Sequence, residues 1–488
     1  MQLELVGVGL LALLLVLGTL LRAPVTVALF ASMPFGATAI AMLPALGGAS
    51  LMIFTPLSGL LIASALLRKN AINDFRTVFA SHWAAMVIVL LALYVVSGSF
   101  LLPRLFAGET SVFVPGMGRI LEVPLMPVSG NINQTCYFVA NSLLFFAAGM
   151  LLLRSNYFNA LRAGMFAFAT IHVVLCVADI GGKVAGAGDV LSFLRTAGYT
   201  MLTNVQAEGF WRIVGGYPEA STCGAATAAA LAFTFSYWRL TGSRFSLALT
   251  ISLGLLLIFS TSTTGYVVGL ALAVAFLVGV VLNAAQGRIQ TRDVWVLTVV
   301  LAVGAVVLAA AATDDRALHP LSKLLQTSLF EKVNSASAAE RFYWNYKSLV
   351  AFADTNGLGI GLGSSRASSW IVAVVSQLGV VGAVALLALS FQIVKPVGQQ
   401  VPPHLLEIVA TCRGLRAAAF AWLVAGLTSG GGADPGALFF IAIAALIAVR
   451  NLLPQQMPFN EVIEPLGGWK ATSEPRAGTE MNGAKAYS

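Results

Sequence analysis

Residues 369–392 read S-W-I-V-A-V-V-S-Q-L-G-V-V-G-A-V-A-L-L-A-L-S-F-Q, without a single Asp, Glu, Lys or Arg. A helix of this length, rising about 1.5 Å per residue, spans the roughly 30 Å hydrocarbon core of a bilayer and has no polar face to turn toward water. Working outward, similar runs recur along the chain. The others are 3–21, 24–44, 48–67, 79–101, 136–153, 163–181, 222–238, 245–261, 265–282, 294–313, 415–430 and 435–449. Together they give about thirteen candidate spans. Of the 488 residues, 58% are hydrophobic and 10% charged, against about 25% charged in an ordinary soluble domain. The first run reads as a retained anchor, because Met-Gln-Leu-Glu puts no Lys or Arg ahead of it.

The charges have a phase. Arg22, then Arg68, Lys69 and Arg76, then Arg154 and Arg162, Arg239 and Arg244, Arg288 and Arg292, and Lys395, Arg413 and Arg416 follow each odd-numbered span. By the positive-inside rule all these connections are cytoplasmic. One missed or invented span would invert everything downstream, yet the alternation holds throughout. The expected fold class is therefore all-α, a polytopic transmembrane helix bundle of about 12–14 spans with the N-terminus out and the C-terminus in. This topology assigns 17 Lys and Arg and 7 Asp and Glu to the inside, against 11 and 13 outside. The formal charge of +8 thus belongs to loop asymmetry, and no nucleic-acid partner is expected.

The transmembrane domain is expected over 1–450, with three long outer loops at 102–134, 182–221 and 314–368. Function is placed on that side, because the inner connections are short. In the third loop, 321–330 and 338–352 have helical apolar spacing, which makes it a large helical loop. The tail 451–488, with Pro454, Pro458, Pro465 and Pro475, is expected to be disordered in the cytoplasm. Cys136, Cys176, Cys223 and Cys412 are far apart in sequence and show no metal-ligand spacing, so no zinc site is expected and the cysteines read as packing residues. The outer segments hold no clear carboxylate cluster, so no metal and no cofactor are expected.

Three stretches can carry chemistry. Residues 212–221, R-I-V-G-G-Y-P-E-A-S, enter the seventh span with Arg212 and Glu219 as a charged pair. A guanidinium there can hold a phosphate through its fork or can snorkel to headgroups. Residues 260–266, S-T-S-T-T-G-Y, form a hydroxyl-rich connection whose Thr264 and Tyr266 can bond a sugar or satisfy helix ends. Residues 340–366 place Arg341 and Trp344 one turn apart, with Lys347 a further turn on, and then glycines at 357, 359, 361 and 363. Such glycines let backbone approach an anion or a sugar, or simply turn the chain. His172 and His82, each within a span, read more readily as neutral histidines bonded to a neighbouring helix than as site residues.

In order and in position relative to the spans, these stretches resemble the O-antigen ligase and polymerase superfamily, especially its exopolysaccharide polymerase branch. The matching pieces are R-x-x-G-x-x-x-E-x-S before a span, S-T-S-T-T-G-Y between spans, and E-R-x-x-W with G-x-G-x-G-S-x-R ahead of an L-G-x-x-G span, covering roughly 212–389. The resemblance implies an inverting, metal-independent glycosyltransferase of the bacterial inner membrane, with its site facing the periplasm. It would move glycan from a polyprenyl-diphosphate carrier to an acceptor sugar hydroxyl. Arg212 and Arg341 match the essential arginines and would hold the diphosphate, with guanidinium charge in place of a divalent cation. Arg366, Trp344, Gly361, Gly363, Ser364, Thr264 and Tyr266 would bind substrate. The implied partners are the polyprenyl-diphosphate-linked oligosaccharide, an acceptor glycan, membrane lipid, a chain-length regulator and export proteins.

One departure bears on the assignment. The ligases carry a histidine beyond their glycine stretch, and no histidine occurs between Gly363 and Ile393 here. That favours polymerase over ligase and leaves Glu219 first among the candidate bases, followed by Glu340, Asp354 and His319. Asp434, in the turn S-G-G-G-A-D-P-G at 429–436, ranks last. A ligase acting on a lipid or protein acceptor is the near alternative. A transporter or flippase is the distant one, and predicts inverted halves that the sequence does not display.

Overall fold

The computed structural model describes residues 2–44, 49–116, 119–207, 209–313, 336–398 and 401–456. The described residues are mostly helical, 72%, with fifteen helices, and the few strands among them form three small antiparallel sheets. Among the described residues seven helices are long and apolar enough to cross a membrane, which makes this a helical membrane protein. They are α5 (Trp83–Leu105), α6 (Ser129–Leu152), α7 (Asn156–Val184), α10 (Thr263–Ala285), α13 (Trp370–Val394), α14 (Leu406–Ser429) and α15 (Ala437–Gln456). Leu270, Val281 and Leu387 point outward from these helices at 65–73% exposure, as lipid-facing side chains do and as a water-facing surface would not tolerate.

Three shorter apolar helices, α1 (Leu5–Leu20), α3 (Phe54–Leu66) and α9 (Arg244–Phe259), have 13–16 residues. At most about 24 Å long, they fall short of a full hydrocarbon core. The expected span 24–44 is not a continuous helix. It is a nine-residue helix, α2 (Pro24–Ser32), followed by a strand, β2 (Ala39–Leu43). Pro34 has no N–H to extend α2, and the freed backbone finds other partners: Ala37 N donates to Gly216 O at 2.9 Å and Ala197 N to Ala37 O at 3.1 Å. Likewise 48–67 is strand β3 (Ala49–Met52) and then α3. β2 pairs with β3 on one side and with β1 (Gln2–Leu3) on the other.

At the centre lies α8 (Ala220–Thr241). It is less apolar than the seven, and Ala225, Ala226, Thr227, Ala228, Ala229, Ala230 and Phe233 are all buried. Its small residues admit close neighbours. It packs most extensively on α14, where a Cβ on Gly414 would sit 2.7 Å from the Phe233 ring, and Gly224 faces Gly265 of α10. The expected loop 102–134 is largely structured: α5 runs to Leu105, strands β4 (Ser111–Gly116) and β5 (Arg119–Pro124) form a hairpin, and α6 starts at Ser129. Helical spacing at 338–352 gives α12 (Ala336–Asp354). Residues 321–330 lie outside the described set. So does most of the expected tail, except that α15 extends it as helix to Gln456.

The two ends of the bundle differ. One gathers the strands, the 212–219 loop and α12. At the other, Arg162 pairs with Glu407, Arg239 with Asp293 of α11 (Thr291–Thr313), and Arg450 donates to Gln392 Oε1 at 3.0 Å and Lys395 O at 2.6 Å.

Candidate functional site

The segment carrying Arg212 is held by a buried ionic clamp. Asp179, near the end of α7, accepts from Lys183 Nζ at 2.9 Å, Arg195 Nη2 at 3.4 Å, Val214 N at 2.9 Å and Gly215 N at 3.2 Å. The three side chains are only 1–4% exposed. Lys183 Nζ also donates to Arg212 O at 2.9 Å, and Arg195 Nη2 to Gly215 O at 2.8 Å. Backbone N–H groups and two cations on one carboxylate offset its desolvation, which a lone buried carboxylate could not survive. The broken span backs the same loop: Gly216 packs on Pro34 O, and Tyr217 on Gly36.

On this rigid base Arg212 is part-buried, and its Nε has no hydrogen-bond partner among the described residues. Burial lowers its affinity for the proton; Glu219 opposes that shift, Arg341 adds to it, and Tyr266 opposes it. Glu219, Arg341 and Tyr266, from a helix cap, α12 and α10, therefore each lie within electrostatic reach of Arg212 on its loop. A guanidinium keeps its proton despite such shifts. Two like charges thus feel each other's field, an arrangement that an anion between them would relieve.

Glu219 caps α8. Its side chain accepts from Ser221, and from Thr222 Oγ1 at 3.4 Å, and its carbonyl accepts from Cys223 N at 3.2 Å. Tyr266 donates to Ile258 O at 2.8 Å. Thr264 is 3% exposed and accepts from Thr428 Oγ1 at 3.2 Å, so it ties α10 to α14. The hydroxyls around it do the work of helix ends: Ser260 Oγ donates to Leu257 O at 2.8 Å, and Ser262 Oγ caps Gly265 N at 3.3 Å.

Arg366 is exposed, with its guanidinium carbon 5.7 Å from the Trp344 ring centroid. Its backbone N donates to Phe113 O at 2.9 Å, and Phe113 also packs against Trp344 and Tyr343. The β4–β5 hairpin thereby holds α12. Glu122 accepts from Ser111 Oγ at 2.7 Å, Tyr343 Oη at 2.9 Å and Lys347 Nζ at 2.9 Å. The Ser111 hydrogen bond foremost, then Lys347 and Tyr343, holds its carboxyl below the usual range. Arg341 and Trp344 share a face of α12, so the aromatic platform bridges Arg366 toward Arg341.

The glycine stretch differs from a substrate cradle. Gly363, at φ +82°, would place a Cβ 2.2 Å from Gly130 O; Gly359, at φ +88°, would meet Gly379 N at 2.7 Å. The close approach is to the protein's own backbone. Ser364 is fully buried, donating to Ile360 O at 2.7 Å and accepting from Asn131 Nδ2 at 2.8 Å. Gly361 is buried too, with Gly98 O 3.0 Å from where its Cβ would sit. Gly361 and Ser364 are buried and Gly363 half-buried, and all three dock the loop onto α5, α6 and α13. Glu340 and Asp354 are exposed; His319 lies outside the described residues.

Sequence reasoning missed Asp179, Lys183 and Arg195. A signal existed: an Asp and a Lys four apart at the end of a span, where uncompensated charge is costly. It also ranked Asp434 last, although burial pushes this carboxyl up to about 6 against hydrogen bonds from Gly436 N and Asn141 Nδ2. The reading of the cysteines as distant is corrected: α7 and α8 bring Cys176 and Cys223 to 3.6 Å, beside His172. Compared with protein-family models and with curated proteins, the chain matches none.

Proposed function

We propose that this protein is an inverting glycosyltransferase that polymerises a glycan from a polyprenyl-diphosphate carrier at the outer leaflet of the bacterial inner membrane. The observation that carries the reading is the unpartnered Arg212 Nε within electrostatic reach of Arg341. Departure of the carrier diphosphate develops negative charge on its oxygens, and two preorganised guanidiniums stabilise that charge without a metal ion. Trp344 offers a face for a sugar ring, and Arg366 beside it offers donors to glycan hydroxyls or carboxylates. Glu219 takes the acceptor proton. The arginine-rich end of the bundle, opposite the site, supports the orientation in which N-terminus and site face outward and the C-terminus inward.

Purified protein incubated with lipid-linked repeat units is expected to yield a ladder of products. A single transfer onto lipid or protein would make it a ligase instead, and no transfer with vectorial movement of the lipid would make it a transporter. The second prediction concerns cells: Arg212→Ala and Arg341→Ala, at normal protein level, are expected to stop polymer production and accumulate single lipid-linked repeats.

A further inference from the structure

His172 and Cys176 stand one turn apart on α7, and Cys223 faces them from α8; all three are fully buried. One donor atom from each lies within 4.8 Å of the others. The Sγ–Sγ separation is 3.6 Å, close to the roughly 3.8 Å between two thiolates on a tetrahedral ion with bonds of about 2.3 Å. Sγ of Cys176 lies 3.7 Å from His172 Nε2 and 3.9 Å from Nδ1.

The hydrogen bonds decide the tautomer. Thr227 Oγ1 gives its only proton to Cys223 O at 2.8 Å, so at 2.7 Å from His172 Nε2 it accepts. The ring proton therefore sits on Nε2, and Nδ1 keeps a free lone pair. A histidine whose second nitrogen is anchored in this way has the arrangement found behind metal-ligating imidazoles.

We propose that His172, Cys176 and Cys223 form a site for one thiophilic d10 cation, Zn2+ or Cu+, that clasps α7 to α8. Binding replaces the thiol protons with metal–sulfur bonds and releases them to solvent: two for Zn2+, which leaves a neutral complex in the apolar core, and one or two for Cu+. The clasp lies directly under the Arg212 loop. A Cβ on Gly215 would meet Cys176 Sγ at 3.0 Å, and Cys223 N bonds to Glu219 O. The proposal is independent of the glycosyl-transfer reading.

The test uses full-length protein in lipid nanodiscs, with Cys136→Ser and Cys412→Ser to leave two thiols. Reduced protein is equilibrated with Zn2+ in one arm and Cu+ in the other, desalted, and its metal content measured. One ion per chain is expected in one arm, abolished by Cys223→Ser and by His172→Ala. Thr227→Val keeps every ligand but removes the acceptor that orients the ring, and is expected to weaken affinity about 10–100-fold while the metal-free protein, though destabilised by the unpaired Nε2–H, still folds and keeps both thiols free to alkylate. Co2+ substitution in the zinc arm should give a thiolate charge-transfer band. Background metal in both arms with both thiols free to alkylate would overturn the site. So would a chain lighter by two hydrogens, because the pair would then be a disulfide.

Discussion

Two regions present the candidate arginines, and they are supported in opposite ways. Arg212 stands on a loop pinned from below by Asp179, Lys183 and Arg195, all within 4% of full burial. Arg341 stands on α12, which is tied to the β4–β5 hairpin through the exposed Glu122 and the half-buried Lys347. The first support is dry and barely screened by salt; the second is wet and weak. One support is thus firm, and the other rests on interactions that cost little to break, a division that would let the proposed lipid-linked substrate enter and leave.

The comparison is broken most strongly at Asp179. Asp179→Ala strands the buried Lys183 and leaves Arg195 with Asp189 alone; it is expected to cost about 3–5 kcal/mol, read as a large fall in the melting temperature of detergent-solubilised protein, and an unchanged melt would show that the ionic clamp does not hold the loop. Next is Gly363→Ala, which forces a Cβ against Gly130 O at φ +82°, with an expected cost of about 1–3 kcal/mol. The loss should appear as detachment of the loop from α6 in hydrogen exchange, with the Arg212 loop still protected.

Asp434 sharpens the picture through pH. Its folded-state pKa is raised to about 6, so its protonated form is favoured by folding. That contribution is full below the ordinary carboxylate range and is lost as pH rises through about 6. Asp434→Asn should flatten this slope in melts between acid and neutral pH, and an unaltered slope would assign it to another group. The smallest effect is expected at Glu122. Its carboxyl is lowered, so the clasp on α12 is present above the ordinary carboxylate range and lost as pH falls through the folded value. Glu122→Gln should change stability only slightly, abolish that acid-side loss, and raise proteolysis of α12 while leaving the Arg212 loop protected.

Much of this was legible in the sequence. Apolar length gave the long helices, and helical spacing gave α12. Hydropathy could not reveal the break in 24–44, because A-I-A-M-L is as apolar in strand β2 as it would be in a helix; Pro34 and Gly36 were the available signs. Arg212, Glu219, Tyr266 and Arg341 can be named from their motifs, but that the other three act on Arg212 follows from packing between segments far apart in sequence. Within the clamp only Asp179 and Lys183 are a local pair; Arg195, Val214 and Gly215 join it from 16–36 positions away, and the two thiols lie 47 apart, so neither assembly as a whole leaves a local pattern. The glycines are ambiguous in sequence, because positive φ and close approach look the same whether the neighbour is a substrate or the chain's own backbone.

In the proposed reaction Arg212 and Arg341 grip one diphosphate. This grip is tested most directly by measuring the affinity of purified wild type, Arg212→Ala, Arg341→Ala and the double variant for a polyprenyl diphosphate. The account predicts that each single variant loses about tenfold or more, on the order of 1.4 kcal/mol, and that the two losses are coupled rather than additive. Folded single variants that both bind like wild type would contradict it.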